Sequence, residues 1–254
     1  MDIANELGYS DVGIFNALER FNIDTRKAEN HFNPTNKFIE LLDGTLLGDG
    51  WLCGYNKSAR YGLEQNNKPY LKWMRNKFHN FDIKFGKVHD KITTASGIAK
   101  RFGRPPPEED KEYLTYSINS LSYRELKEQH LRWYPDGDKI VPKDVHITPL
   151  SVFIWYLEDG TINYKRTEGE LTFCTDGFKT DGVKILKDKV SDKVGIKISL
   201  SEQKSSNYRP RLSIYRLEDI NKLISYITSI PKELKPYYGY KFPNLKEPAL
   251  KLRR

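Results

Sequence analysis

Two stretches of this chain end in the same way. Residues 36–50 read NKFIELLDGTLLGDG, and residues 146–160 read HITPLSVFIWYLEDG. Each is an apolar run of helical length that stops at Asp-Gly. Asp49 and Asp159 stand before Gly50 and Gly160, 110 residues apart (159 − 49). A glycine at that point ends a helix. An internal repeat constrains a fold strongly, because both copies must fold alike.

The residues after each run also correspond. In the first copy, strand patterns cover 51–55 and 59–65. A helix fits 68–80, with Leu71, Met74 and Phe78 at helical spacing. Strands return at 83–92 and 113–119, and a helix fits 122–134. The second copy gives strands at 161–166 and 171–175 and a helix at 180–190. Strands follow at 196–203 and 208–215, then a helix at 217–227. Each copy therefore reads α-β-β-α-β-β-α, an α+β class with a pseudo-twofold axis. Residues 103–110 (GRPPPEED) form a Pro-rich, acidic insertion, and PDGD at 135–138 marks the connection. The expected organisation is an N-terminal helical segment at 1–32, a first half at 33–140 and a second half at 141–254.

Composition removes several classes. The 254 residues are 38% hydrophobic and 30% charged, enough for a core. No apolar run approaches the roughly 18 residues of a membrane span, so no membrane partner is expected. The start, MDIANELGYSDVG, is acidic and lacks the apolar centre of a signal peptide. Cys53 and Cys174 stand apart and make neither a disulfide framework nor a zinc site. An intracellular setting is expected, with cytoplasm and organelle both open. The net charge of +8 and pI of about 9.2 raise the expectation of a polyanionic partner.

The helix ends carry the chemistry. Gly44-xxx-Gly48 puts two bare positions on one face, which lets a partner helix approach closely. Phe153 and Ile154 stand in the second helix where small residues would ease that crossing. If the pseudo-twofold axis runs between the helices, Asp49 and Asp159 meet at one end of it. Two carboxylates there repel each other and face the negative ends of two helix dipoles. A cation relieves this, and oxygen-only ligation suits Mg²⁺. Asp43-Gly44 is a second Asp-Gly, but six residues is about 240° of net rotation, so Asp43 and Asp49 cannot share a face. Asp49 ends the apolar run, and Asp43→Asn is expected to leave function nearly intact.

At these residues the chain resembles a family. LDGTLLGDG (42–50) resembles the motif that names the LAGLIDADG homing endonucleases. ITPLSVFIWYLEDGTI (147–162) resembles the second motif of their two-motif, single-chain members. The resemblance covers about residues 36–245. It implies that the two helices pack at the centre of a LAGLIDADG fold and that Asp49 and Asp159 each hold metal. Mg²⁺, with Mn²⁺ as a substitute, would be shared with the scissile phosphates. The backbone carbonyls of Gly48 and Glu158 would help. The implied activity is site-specific double-strand cleavage, serving intron homing, by a monomer on a long asymmetric DNA site. An RNA-splicing maturase acting on intron RNA, or a non-cleaving DNA-binding regulator, is the alternative on the same fold.

Each half closes alike, with Lys139 before Ile-Val-Pro142 and Lys241 before Phe-Pro243. In relatives such a lysine lies near the metal centre, so the resemblance makes both catalytic, supporting the attacking water or developing charge. The strands carry the expected DNA contacts. Arg209, Arg211 and Ser213 share one face, as do Lys197, Ser199 and Gln203. Lys87, His89 and Lys91 alternate with Val88 and Ile92. Such side chains contact phosphates and base edges, and the two antiparallel sheets would form a saddle along the major groove. Residues 3–23 resemble a helix-turn-helix core, with Gly8 in the turn and Asp11 as a cap, and offer an auxiliary DNA contact.

Overall fold

Both repeated apolar runs are helices, and their caps show why they begin where they do. A computed structural model describes residues 30–101, 105–165, 168–203, 209–227 and 229–243, with positions 10, 17 and 20. The helix-turn-helix-like stretch lies outside the described residues apart from those three positions. Residues 1–31 form one unit and residues 32–254 another; the second is described below.

The first repeat runs α1 (Asn36–Leu47), β1 (Gly50–Gly54), β2 (Ala59–Gln65), α2 (Lys68–His79), β3 (His89–Thr94), α3 (Ala95–Arg101), β4 (Glu112–Asn119) and α4 (Glu125–Trp133). The second runs α5 (Pro149–Asp159), β5 (Gly160–Lys165), β6 (Glu168–Phe173), α6 (Thr180–Val194), β7 (Ser199–Gln203), β8 (Arg209–Ile214) and α7 (Leu217–Tyr226). A short α8 (Lys235–Tyr238) and a 3₁₀ turn (Gly239–Lys241) follow. Thr35 starts α1 by accepting from the Phe38 N–H. Thr148 and Ser151 form a reciprocal capping box at α5, with Pro149 in the first turn.

The helix pair α1/α5 is the centre of the core. A Cβ on Gly44 would sit 2.8 Å from both Cα and O of Ser151 and 3.1 Å from Cβ of Ile154. The crossing is therefore intimate, and Ser151 is the small residue that permits it. Phe153 does not obstruct it, because its ring packs sideways, 6.0 Å from Trp73 and 6.0 Å from Phe242.

Each half adds one antiparallel four-stranded sheet, ordered β1-β2-β4-β3 and β5-β6-β8-β7. The pairings match, with Gly50 opposite Leu63 and Gly160 opposite Phe173. Tyr61, Leu63 and Ile118 bury one face of the first sheet; Leu171, Phe173, Leu212 and Ile214 bury one face of the second.

Three sequence expectations need correction. The strand expected at 83–92 begins only at His89. Ile83 and Phe85 look strand-like because they are buried, yet they sit in a loop whose one bridge, from Phe85, reaches Ser120 just past β4. Likewise β7 begins at Ser199, and Ile196 and Ile198 bury themselves ahead of it. The short α3 was not foreseen, since ASGIAKR shows no sustained apolar period.

Candidate active site

At the C-terminal ends of α1 and α5, each half brings together an acid and a lysine. Asp49 follows α1 directly, and Asp159 is the last residue of α5. Unsatisfied carbonyls collect at such ends and carry partial negative charge. The lysines answer that charge. Lys139 Nζ donates to the Gly48 carbonyl (3.2 Å) and the Gly50 carbonyl (2.8 Å), the two that flank Asp49. Lys241 Nζ donates to the carbonyls of Tyr156 (3.2 Å), Leu157 (2.7 Å) and Gly160 (2.7 Å). Each lysine thus caps the helix that presents its own half's acid. Lys139 also lies over the Phe178 ring, and Lys241 over the rings of Tyr156 and Tyr238.

Burial sets the charge balance. It depresses both lysines to about 8, although Asp49, Asp159 and Glu158 pull the other way. Burial first, and the charge of Asp49 second, lift Asp159 to about 7. Asp49 is also raised, chiefly by desolvation, against a donated hydrogen bond from the Gln65 amide and the charges of both lysines. Asp49 itself is exposed. Glu158 is raised well above its ordinary value by burial and by Asp49.

Two neighbouring carboxylates that resist ionisation form a donor set that a cation satisfies. Among the described residues no three His, Cys, Asp or Glu side chains converge on one point. The remaining ligands of an ion there would be water and phosphate, which fits Mg²⁺ better than a metal that demands a full protein cage. Beside Asp49 a cleft of about 780 Å³ opens between Trp51, Glu64, Gln65, Thr115 and Glu158.

The carbonyl expected to assist metal at Gly48 is the acceptor for Lys139. At Glu158 the side chain commands attention: its carboxyl accepts from Thr45, from Tyr70 and from the Asp49 backbone N–H. Gln65 and the Glu158 carboxyl were not read from the sequence. Both act across long sequence separations, where no local period gives a signal.

Asp43 is fully buried and has a different task. Its carboxylate accepts from Arg132 Nη2 (3.0 Å), Trp133 Nε1 (3.1 Å) and the His146 N–H (2.9 Å). It joins α1 to α4 and to the lead-in of α5.

The expected DNA-contacting residues divide. Lys87, His89, Lys91 and Lys197 are exposed. Lys87 precedes β3 and Lys197 precedes β7, so neither lies within a strand as expected. Ser199 opens β7 and pairs with Ser213. Ser213 itself is buried, with its hydroxyl 3.1 Å from that of Thr172. The expectation that it faces solvent is corrected: Ser213 lies on the inner strand β8, opposite Thr172 and Ser199, and is buried, whereas Tyr215 in the same row is exposed. Arg211 is held by Asp176, with bonds of 2.9 and 2.8 Å. Gln203 and Arg209 pair in the β7–β8 ladder, and their side chains lie outside the described set. On the opposite face of the first sheet, the paired Ile92 and Leu114 are exposed. No described helix is long and apolar enough to cross a membrane.

Comparisons with known proteins agree with this architecture. The chain is 27% identical over 188 residues to an uncharacterised protein of Methanocaldococcus jannaschii, covering 73% of this chain and 66% of that one, just under two thirds of its length. It is 24% identical over 218 residues to cytochrome b mRNA maturase bI2 of Debaryomyces hansenii, covering 82% and 73%. Among solved structures, the homing endonuclease I-WcaI bound to its DNA recognition sequence matches with a TM-score of 0.63 at 20% identity, over 80% of this chain and 84% of that one. The model of the LAGLIDADG DNA endonuclease family matches residues 39–221, which take in both helices, both acids and both sheets. The chain belongs to the LAGLIDADG DNA endonuclease family.

Proposed function

We propose that this protein is a site-specific double-strand DNA endonuclease that hydrolyses one phosphodiester per strand with Mg²⁺ held between Asp49 and Asp159. The observation that carries the reading is the paired arrangement of acid and lysine. Each half presents an acid at a helix end with a lysine capping the same end, Lys139 half-buried and Lys241 buried. A metal bound by the two acids would polarise a phosphoryl oxygen and supply an activated water. Lys139 and Lys241 would place fixed positive charge where negative charge develops on the phosphate. Exposed His89, Lys91, Lys87 and Lys197 would hold the duplex through its backbone, with Arg209 and Gln203 as further candidates.

The named maturase among the relatives favours RNA splicing as the second reading. A splicing or regulatory role requires binding alone. Two acids, each beside a lysine that caps its helix end, favour cleavage. A plasmid carrying the target, selected from randomised duplex, should be linearised with Mg²⁺ and left intact with EDTA. Asp49→Asn and Asp159→Asn should each abolish double-strand cutting while leaving binding largely intact, because affinity comes from many backbone contacts. Full cutting by either variant would remove these acids from the site.

A further inference from the structure

The two halves differ at the residue before each acid, which is Gly48 in the first and Glu158 in the second. The Glu158 carboxyl crosses from α5 into the first half. Its Oε1 accepts from the Thr45 hydroxyl (2.9 Å) and the Tyr70 hydroxyl (2.7 Å). Its Oε2 accepts from the Asp49 N–H (2.8 Å). A Cβ on Gly48 would lie 2.4 Å from that same oxygen, so the glycine is what leaves it room. The exchange is one-way, because Gly48 has no side chain to return to Asp159.

Asp49 has a further holder, at its carboxylate, that the matching position does not offer Asp159 among the described residues. Gln65 donates to Asp49. Strand register puts Thr175 at the matching place in the second half, two residues past Phe173 as Gln65 is two past Leu63. The Thr175 hydroxyl is buried and donates elsewhere, to the Pro210 carbonyl at 2.5 Å. Asp49 is thus fixed at its backbone from the other half and at its carboxylate from its own.

We propose that Glu158 is a positioning residue for the first active site alone, fixing the Asp49 backbone from across the helix pair. The strand served by Asp49 and Lys139 then depends on Glu158, and the strand served by Asp159 and Lys241 does not. This rests on the endonuclease reading above. The physical basis is alignment: the Asp49 N–H belongs to the turn joining α1 to β1, and release of that turn lets the acid drift. A misplacement of about 1 Å can cost about 10²-fold in rate.

The test uses the full chain, a selected target duplex with each strand separately labelled, and Mg²⁺. The readout is the ratio of the two strand-cleavage rates. Glu158→Ala should slow one strand by about 10- to 100-fold relative to the other. That strand should be the one slowed in Lys139→Met. Gly48→Ala keeps Glu158 but displaces its carboxyl, and should shift the ratio in the same direction. Glu158→Gln can keep an oxygen for the Asp49 N–H, with its NH₂ turned to the Thr45 and Tyr70 hydroxyls, which can accept, and should recover part of the loss. An unchanged ratio in Glu158→Ala and Gly48→Ala overturns the proposal, even if melting temperature falls. So does a shift toward the strand slowed in Lys139→Met becoming the faster one. Failure of the wild-type chain to cut either strand would overturn the endonuclease reading itself, which distinguishes the two failures.

Discussion

At the scale of single residues, position in the chain says less than surroundings. Asp43 and Asp49 are both followed by glycine, and the sequence offered only helical rotation to separate them. The structure assigns Asp43 to a buried ion pair with Arg132, whose side chain is 15% exposed, so Asp43→Asn, expected to cut nearly normally, should carry a cost in stability. Removing one partner of such a pair costs about 3–5 kcal/mol. Asp43→Asn should lower the urea midpoint accordingly, while cutting persists at temperatures where the variant remains folded. An unchanged midpoint would contradict the role given to that pair.

Asp159 yields a pH prediction. Its folded value of about 7 lies above the ordinary 3.8, so the folded, metal-free chain holds this proton more tightly than the unfolded chain. That contribution to stability is full below about 3.8 and is lost as the pH rises through about 7. A divalent cation must displace the same proton. The rise in melting temperature on adding Mn²⁺ or Ca²⁺ should therefore be larger at about pH 8 than at about pH 6. Asp159→Asn should flatten that difference. A cation effect equal at both pH values in the wild type would argue against Asp159 as a ligand.

At the scale of elements, the apolar runs ending in Asp-Gly were legible because helix period, caps and glycine stops agree locally. Thr148-Pro149 and the stop at Gly160 mark α5 at both ends. Strand edges were less legible. Ile83 and Phe85 carry a period-two signal, but burial in a loop produces the same signal as burial in a strand. Ser213 failed for a different reason: alternation assigns a face, but a short side chain on an inner strand can be buried while Tyr215 in the same row is exposed.

The α1/α5 crossing makes its own prediction. A side chain at Gly44 must push into Ser151 backbone, which cannot swing away. Gly44→Ala should cost about 1–3 kcal/mol by overpacking, read as a shift in denaturant midpoint. A neutral or stabilising result would mean that the helices cross less closely. The sheets predict salt dependence. Five phosphate contacts from Lys87, Lys91, Lys197, Arg209 and Arg211 give a slope of log K against log salt of roughly −4 to −5. Since Arg211 is already engaged by Asp176, its removal should alter the slope less than removal of Lys91. A flat salt dependence would exclude this mode of binding.

At the scale of the whole molecule, the duplication was the clearest message of the sequence, and its imperfections were the least visible. Each half has its sheet order, its helix end and its lysine. The exchange of Gly48 for Glu158, and of Gln65 for Thr175, looks in one dimension like ordinary divergence. Only in three dimensions do Glu158 and Gln65 both meet Asp49.

With one active site per strand, each with its own lysine, the two lysines must serve different strands of the duplex, and this division of labour follows the pseudo-twofold axis. It is tested most directly with a strand-labelled target duplex, Mg²⁺ and a denaturing gel, comparing Lys139→Met with Lys241→Met. A supporting charge of this kind is often worth about 10²–10³ in rate. Each variant should accumulate nicked duplex, and the strand left intact should be opposite in the two. Equal slowing of both strands in both variants would contradict the division, and no slowing in either would remove the lysines from the chemistry.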